Sequence, residues 1–149
     1  MTIKLQLYQQ LQERIDKRVK NAQKAVLAAQ DSKSNQTKSS AGDKFETGRA
    51  MMQAEEDRCR SQLAQALTLQ NELARLPFRV PSATVKRGSL VGSDQANYFI
   101  SVGLGKLEIA NTIYYAISLA SPIGQLLQDK QVGETIDFRG KTITVQSID

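Results

Sequence analysis

A chain of 149 residues with a net charge of +5 has room for one compact domain or two small ones. Its residues are 40% hydrophobic and only 5% aromatic, with no Trp, which is lean for one globular core and ordinary for long helices packed through Ala, Leu and Gln. The single cysteine, Cys59, and the absence of histidine exclude an internal disulfide, a multi-cysteine zinc site, Ser-His and Cys-His triads and most catalytic zinc sites.

Any chemistry therefore runs on carboxylates, Lys, Tyr or a borrowed metal. No apolar run approaches the roughly 18 residues that a membrane span needs. The first residues, MTIKLQLYQQ, break their apolar positions with Lys4, Gln6 and Gln9 and do not read as a signal peptide, so a cytoplasmic protein is expected. Residues 1–76 hold 13 Lys/Arg against 9 Asp/Glu and residues 77–149 hold 7 against 6, so +4 of the charge lies in the first half. That excess suits an acidic partner or a nucleic acid, and equally a solvated helix face.

Residues 3–30 read as an amphipathic helix. Leu5, Tyr8, Leu11, Ile15, Val19, Ala22, Val26 and Ala29 recur every three or four residues, and no Gly or Pro interrupts. Residues 31–42, DSKSNQTKSSAG, carry no large apolar side chain and read as a loop or a frayed helix end. Residues 43–76 are helical again, with Met52, Cys59, Leu63, Ala66, Leu69, Leu73 and Leu76 as the second stripe and Pro77 as the stop. Two narrow stripes of similar length cover each other best by folding back, which predicts an intramolecular antiparallel hairpin with Ile15, Val19, Val26, Met52, Cys59 and Leu63 at the seam. A homodimeric coiled coil is the rival. Met51-Met52 reads as core or near-turn packing, and Cys59 as a small buried hydrophobe.

Pro77-Phe-Arg-Val-Pro81 reads as a stiff linker. Beyond it the pattern turns to strands: Ser89–Gly92, Asn97–Val102, then Glu134–Phe138 and Lys141–Ile148 joined by an Arg139-Gly140 turn. Ser121-Pro122 marks a helix start over 121–128, with Ser as cap and Pro at the first helical position. Ser121 is far better placed as a cap than as a nucleophile, since no base accompanies it. Tyr114 and Tyr115 offer a partner-facing patch or one core ring. The expected fold is α+β: a coiled-coil hairpin over 1–76, a linker over 77–81, and a small antiparallel sheet with one short helix over 82–149.

Gly88-Ser-Leu-Val91, Tyr98-Phe-Ile-Ser-Val-Gly103, Ile117-Ser-Leu-Ala-Ser-Pro-Ile-Gly-Gln-Leu-Leu127 and Lys130-Gln-Val-Gly-Glu134 follow one another in the order and spacing of the GreA/GreB transcript-cleavage factors of bacterial RNA polymerase, and the C-terminal half resembles that family. The resemblance covers residues 88–149 and implies an FKBP-like domain there, matching the strand and helix reading. The N-terminal half is similar to the family's coiled-coil finger, with Gly42-Asp-Lys-Phe-Glu46 at the position of its acidic tip. The resemblance implies that the finger enters the polymerase secondary channel. There Asp43 and Glu46 would help hold a magnesium ion shared with the polymerase and act on backtracked RNA, with RNA polymerase and the nascent RNA 3′ end as partners.

The chain would then be no enzyme alone, and it would need neither a membrane nor a small-molecule substrate. Magnesium prefers oxygen ligands and keeps several waters, so two carboxylates complete such a site rather than make one. The bland reading of the same pair is a capping box, and the two roles are compatible. Lys33, Lys38, Lys44 and Arg49 are candidates for RNA phosphate or simple solvated charges. Ser121, Pro122 and Ile123 are the candidate partner-binding residues.

Several positions depart from the family. Thr47-Gly-Arg-Ala50 follows Glu46 where the family carries Asn, Ala, a further acid and an aromatic, and Leu104-Gly-Lys-Leu107 replaces an acidic loop. These departures frame the alternative, a channel-occupying regulator without cleavage activity. An FKBP-like prolyl isomerase is the third and weakest reading, because the chain lacks Trp for an aromatic pocket.

Overall fold

The computed structural model describes residues 2–39 and 43–149, with the side chains of residues 36–39 and 43–46 outside that description. The chain is α+β: two long helices, α1 (Ile3–Ser39) and α2 (Asp43–Ala74), precede a six-stranded sheet and a short helix. It divides into two compact units, Glu13–Asn71, and Met1–Gln12 together with Glu72–Asp149.

Within Glu13–Asn71 the helices run antiparallel. Gln70 Nε2 donates to Asp16 Oδ1 at 3.1 Å and Lys33 Nζ donates to Gln53 Oε1 at 2.8 Å, so a step forward on α1 meets a step back on α2. Ile15, Val19, Val26 and Cys59 are buried as the periodicity requires. Leu63 packs half-buried on Val26, Ala29 and Cys59, and Met52 is half-buried. Met51 is 63% exposed, so of the methionine pair only Met52 meets the packing expectation. Burying a Val or Ile side chain is worth about 1.5–3 kcal/mol, which makes this stripe the main source of the hairpin's stability.

Of the loop or frayed helix end expected over 31–42, residues 31–39 are corrected to regular helix, and 40–42 lie outside the described residues. α1 continues helical to Ser39. Lacking apolar side chains, this stretch gives no periodic signal, yet it also contains no Gly or Pro before Gly42 to break the helix. Lys33, inside it, reaches across to α2 and ties it down.

In the second unit the sheet order is β3-β4-β2-β1-β6-β5, comprising β1 (Leu90–Ser93), β2 (Asn97–Ile100), β3 (Gly105–Ile109), β4 (Thr112–Ile117), β5 (Thr135–Phe138) and β6 (Lys141–Ile148). The short helix α3 (Pro122–Leu127) lies between β4 and β5 in sequence. Neighbouring strands are antiparallel except β2 and β4, which pair parallel from Asn97↔Tyr114 to Ile100↔Ile117. The expectation of a wholly antiparallel sheet is corrected there, because the missed β3–β4 hairpin intervenes and returns β4 beside β2. Its turn, Ala110-Asn111, takes positive φ at both residues, as does Arg139-Gly140 between β5 and β6. Both are two-residue turns of the kind whose twist suits hairpin strands.

Alternation sends successive side chains to opposite faces. One face collects Val91, Tyr98, Ile100, Ile136, Ile143 and Val145 with Leu127 of α3 and Val85. The other carries Leu90, Phe99, Leu107 and Ala116, also buried. The same unit buries Leu7, Leu11, Leu73 and Leu76. Phe78, expected in a linker, stacks on Tyr8 with ring centroids 4.4 Å apart. Gly88 follows at φ +91°, and a Cβ there would lie 2.6 Å from the Pro77 carbonyl oxygen, so only glycine fits this crossing.

Candidate functional site

The Ser-Pro-Ile-Gly segment is built from the inside. Ser121 sits extended at the N-cap of α3; its Oγ accepts from Gly124 N at 3.1 Å and donates to the Ser118 carbonyl at 2.6 Å. Pro122 occupies the first helical position, where a missing N–H costs nothing. Ser121 is thus a cap, Pro122 is exposed, and Ile123 packs half-buried against the core.

Ile123 also lines a groove of about 530 Å³ on the sheet face that carries Tyr98. Its walls are Tyr98, Tyr115 and Ile117 from β2 and β4, Ile143 from β6, and the β5–β6 turn with Phe138, Arg139 and Lys141. The tyrosine rings lie 6.3 Å apart and tilted, and Tyr115 is 38% exposed. The Arg139 guanidinium rests 4.9 Å from the centroid of the Phe138 ring. Burial, helped by neighbouring Tyr115 and Asp94, pushes the Tyr98 hydroxyl above its ordinary pKa and keeps it protonated. Arg139 and Lys141 are the charged residues of the lining, so an apolar floor meets a cationic rim. In charge and polarity such a surface is complementary to an apolar group flanked by acidic ones.

The polar network on the hairpin is the feature that sequence reasoning missed. Glu56 is buried within the α2 stripe, ion-paired with Lys33 of α1 at 3.6 Å and Arg60 at 3.7 Å. A charged residue at an apolar register position, between Met52 and Cys59, was the available signal. Lys33, a candidate for phosphate, is engaged here, whereas Arg49 is exposed. Asp43, Lys44 and Glu46 fall in the first turn of α2 and Lys38 in the last turns of α1. Their side chains lie outside the described residues, and with them the proposed magnesium ligands. Among the described residues no cluster of three His, Cys, Asp or Glu is placed to hold a metal ion, and no helix is long and apolar enough to cross a membrane.

No protein-family model matches this chain, and no curated protein matches it significantly.

Proposed function

We propose that the chain is a Gre-like factor that docks on bacterial RNA polymerase and works through the end of its hairpin where α2 begins. The observation that carries this reading is the pairing, in one chain, of a long antiparallel hairpin with a sheet domain whose Ser-Pro-Ile-Gly turn borders an apolar, cation-rimmed groove. The helical start at Asp43 suits the acidic motif. Positions 43 and 46 are three apart in the first turn of α2, the spacing that brings two positions to one side of a helix.

In this reading the groove supplies affinity. An acidic, apolar element of the polymerase fills the floor between Tyr115, Ile117 and Ile123 while Arg139 and Lys141 meet its carboxylates. The finger enters the secondary channel, and Asp43 and Glu46 add oxygen ligands to a magnesium ion that the polymerase already holds in part. When bound, that ion supplies activation of the hydrolytic water; the residues of this chain contribute placement and charge. The exposed Arg49, with Lys38 and Lys44, lies near enough in sequence to serve RNA phosphate.

The deciding experiment measures binding of the full chain to a bacterial RNA polymerase core by fluorescence anisotropy, with and without a competing secondary-channel factor. Saturable, competable binding supports the reading, and no binding at micromolar concentrations removes it. The second reading, occupancy of the channel without cleavage, is favoured by Thr47-Gly-Arg-Ala50 beside the acids, and it predicts the same binding without RNA hydrolysis.

A further inference from the structure

Apolar seams fix the axial position of one helix on another only loosely when their side chains are small. The middle of this hairpin is such a seam: Ala22, Ala25 and Ala66 leave an open channel of about 380 Å³ with Arg18, Gln62 and Gln65. Two polar contacts bracket it. From Asp16–Gln70 to Lys33–Gln53 the chain advances 17 residues on α1 (33 less 16) and returns 17 on α2 (70 less 53), so both belong to one register.

The two contacts are not equivalent. Asp16–Gln70 is exposed. At the other, Glu56 is 6% exposed and its Oε2 collects Lys33 Nζ at 3.6 Å, Arg60 Nε at 3.7 Å and Gln53 Nε2 at 3.3 Å. Gln53 completes the cluster by accepting from Lys33 at 2.8 Å and donating to Asp57 at 2.9 Å. Arg60 and Gln53 share α2 with Glu56 and stay beside it in any register, so the cross-helix partner that a slip removes is Lys33. Losing that cation from a buried carboxylate is costly, whereas a leucine in its place would accept several registers.

We infer that Glu56, held between Lys33 of α1 and Gln53 and Arg60 of α2, is a positioning residue that selects one axial register for the hairpin and so fixes which residues of α1 and α2 face each other. The register matters whatever the hairpin binds, because a slip of one turn displaces facing residues by about 5.4 Å along the axis.

The test uses the full chain carrying Cys59→Ala, with spin labels on Lys17→Cys and Ser61→Cys, both exposed positions on opposite helices and offset along the axis. Pulsed dipolar spectroscopy reads the distance distribution, and circular dichroism reads helicity. With Glu56 in place, one distance population is expected. Glu56→Leu is expected to keep its helicity and gain a second population, while Glu56→Gln, which retains a buried polar group needing Gln53 or Lys33, keeps one. A single unchanged distance in a fully helical Glu56→Leu overturns the inference. Should Glu56→Leu lose helicity, Lys33→Met with Glu56→Leu removes both charges together. That pair is expected to fold with two populations, and a single population or failure to fold would make the cluster a plain stability element.

Discussion

Gly124 lies so close beneath the carbonyl oxygen of Ser118 that a methyl group on it would overlap that oxygen, the same atom to which the Ser121 hydroxyl donates at 2.6 Å. Three features of the Ser-Pro-Ile-Gly stretch thus serve one turn: a hydroxyl that bonds in both directions, a ring that needs no N–H, and a residue with no side chain. Ser121→Ala removes the cap and is expected to cost about 1 kcal/mol. Gly124→Ala forces the Ser118 backbone to move and is expected to cost more. Urea denaturation of the two variants checks the order, and a Gly124→Ala protein as stable as wild type would show that the turn relaxes.

Ile15 is fully buried in the seam and Leu27 is 61% exposed on the same helix. Ile15→Asp places an unpaired charge in an apolar site and is expected to destabilise by several kcal/mol, on the scale of a buried unpartnered polar group. Leu27→Asp is expected to cost only about 0.5–1 kcal/mol, mostly through lower helix propensity. Equal effects in thermal or urea unfolding would contradict the seam.

Cys59 is buried at the seam, and burial, aided by the Glu55 carboxylate that accepts its S–H at 3.7 Å, holds the thiol above its ordinary pKa. The folded thiol keeps its proton to higher pH than the unfolded one. Its contribution to stability is therefore complete below the unfolded thiol's pKa and is lost as pH rises toward the folded value. Reaction with a disulfide reagent at pH 8 is expected to be at least tenfold slower in the native protein than in urea. Equal rates would place the thiol at the surface.

In the groove, Arg139→Glu with Lys141→Glu reverses the rim without touching the buried floor. If the groove docks on RNA polymerase as proposed, affinity is expected to fall at least tenfold, with a weaker salt dependence and unchanged urea stability. Unchanged affinity would move the docking surface elsewhere.

Much of this architecture could be read from residue patterns, for physical reasons that differ by element. The seam followed from three-to-four spacing at Ile15, Val19 and Val26, and α3 from the chemistry of Ser121-Pro122. β5 and β6 followed from alternation around Arg139-Gly140. The β3–β4 hairpin was missed because Ala110-Asn111 is a weak turn signal beside Asn-Gly, and because Leu107 and Ile109 gave only two alternating apolar positions before it. The helical stretch to Ser39 read only as a loop or frayed end because it has no apolar face to give a period; Lys33 ties it to α2. Of the candidate site, the role of Ser121 as a cap was legible, while the groove was not, since it assembles residues from β2, β4, β6, α3 and the β5–β6 turn that only the sheet order brings together.

In the proposed function the hairpin delivers Asp43 and Glu46 to a polymerase active centre. Cleavage of end-labelled RNA in a stalled, backtracked elongation complex at saturating magnesium decides whether it does. Wild-type chain is compared with Asp43→Asn and Glu46→Gln. Asn and Gln remain good capping residues, so folding is expected to change little in either variant. Cleavage well above the polymerase's own rate is expected with wild type, and its loss in both variants without loss of binding. Cleavage stimulated equally by wild type and both variants would contradict the proposal.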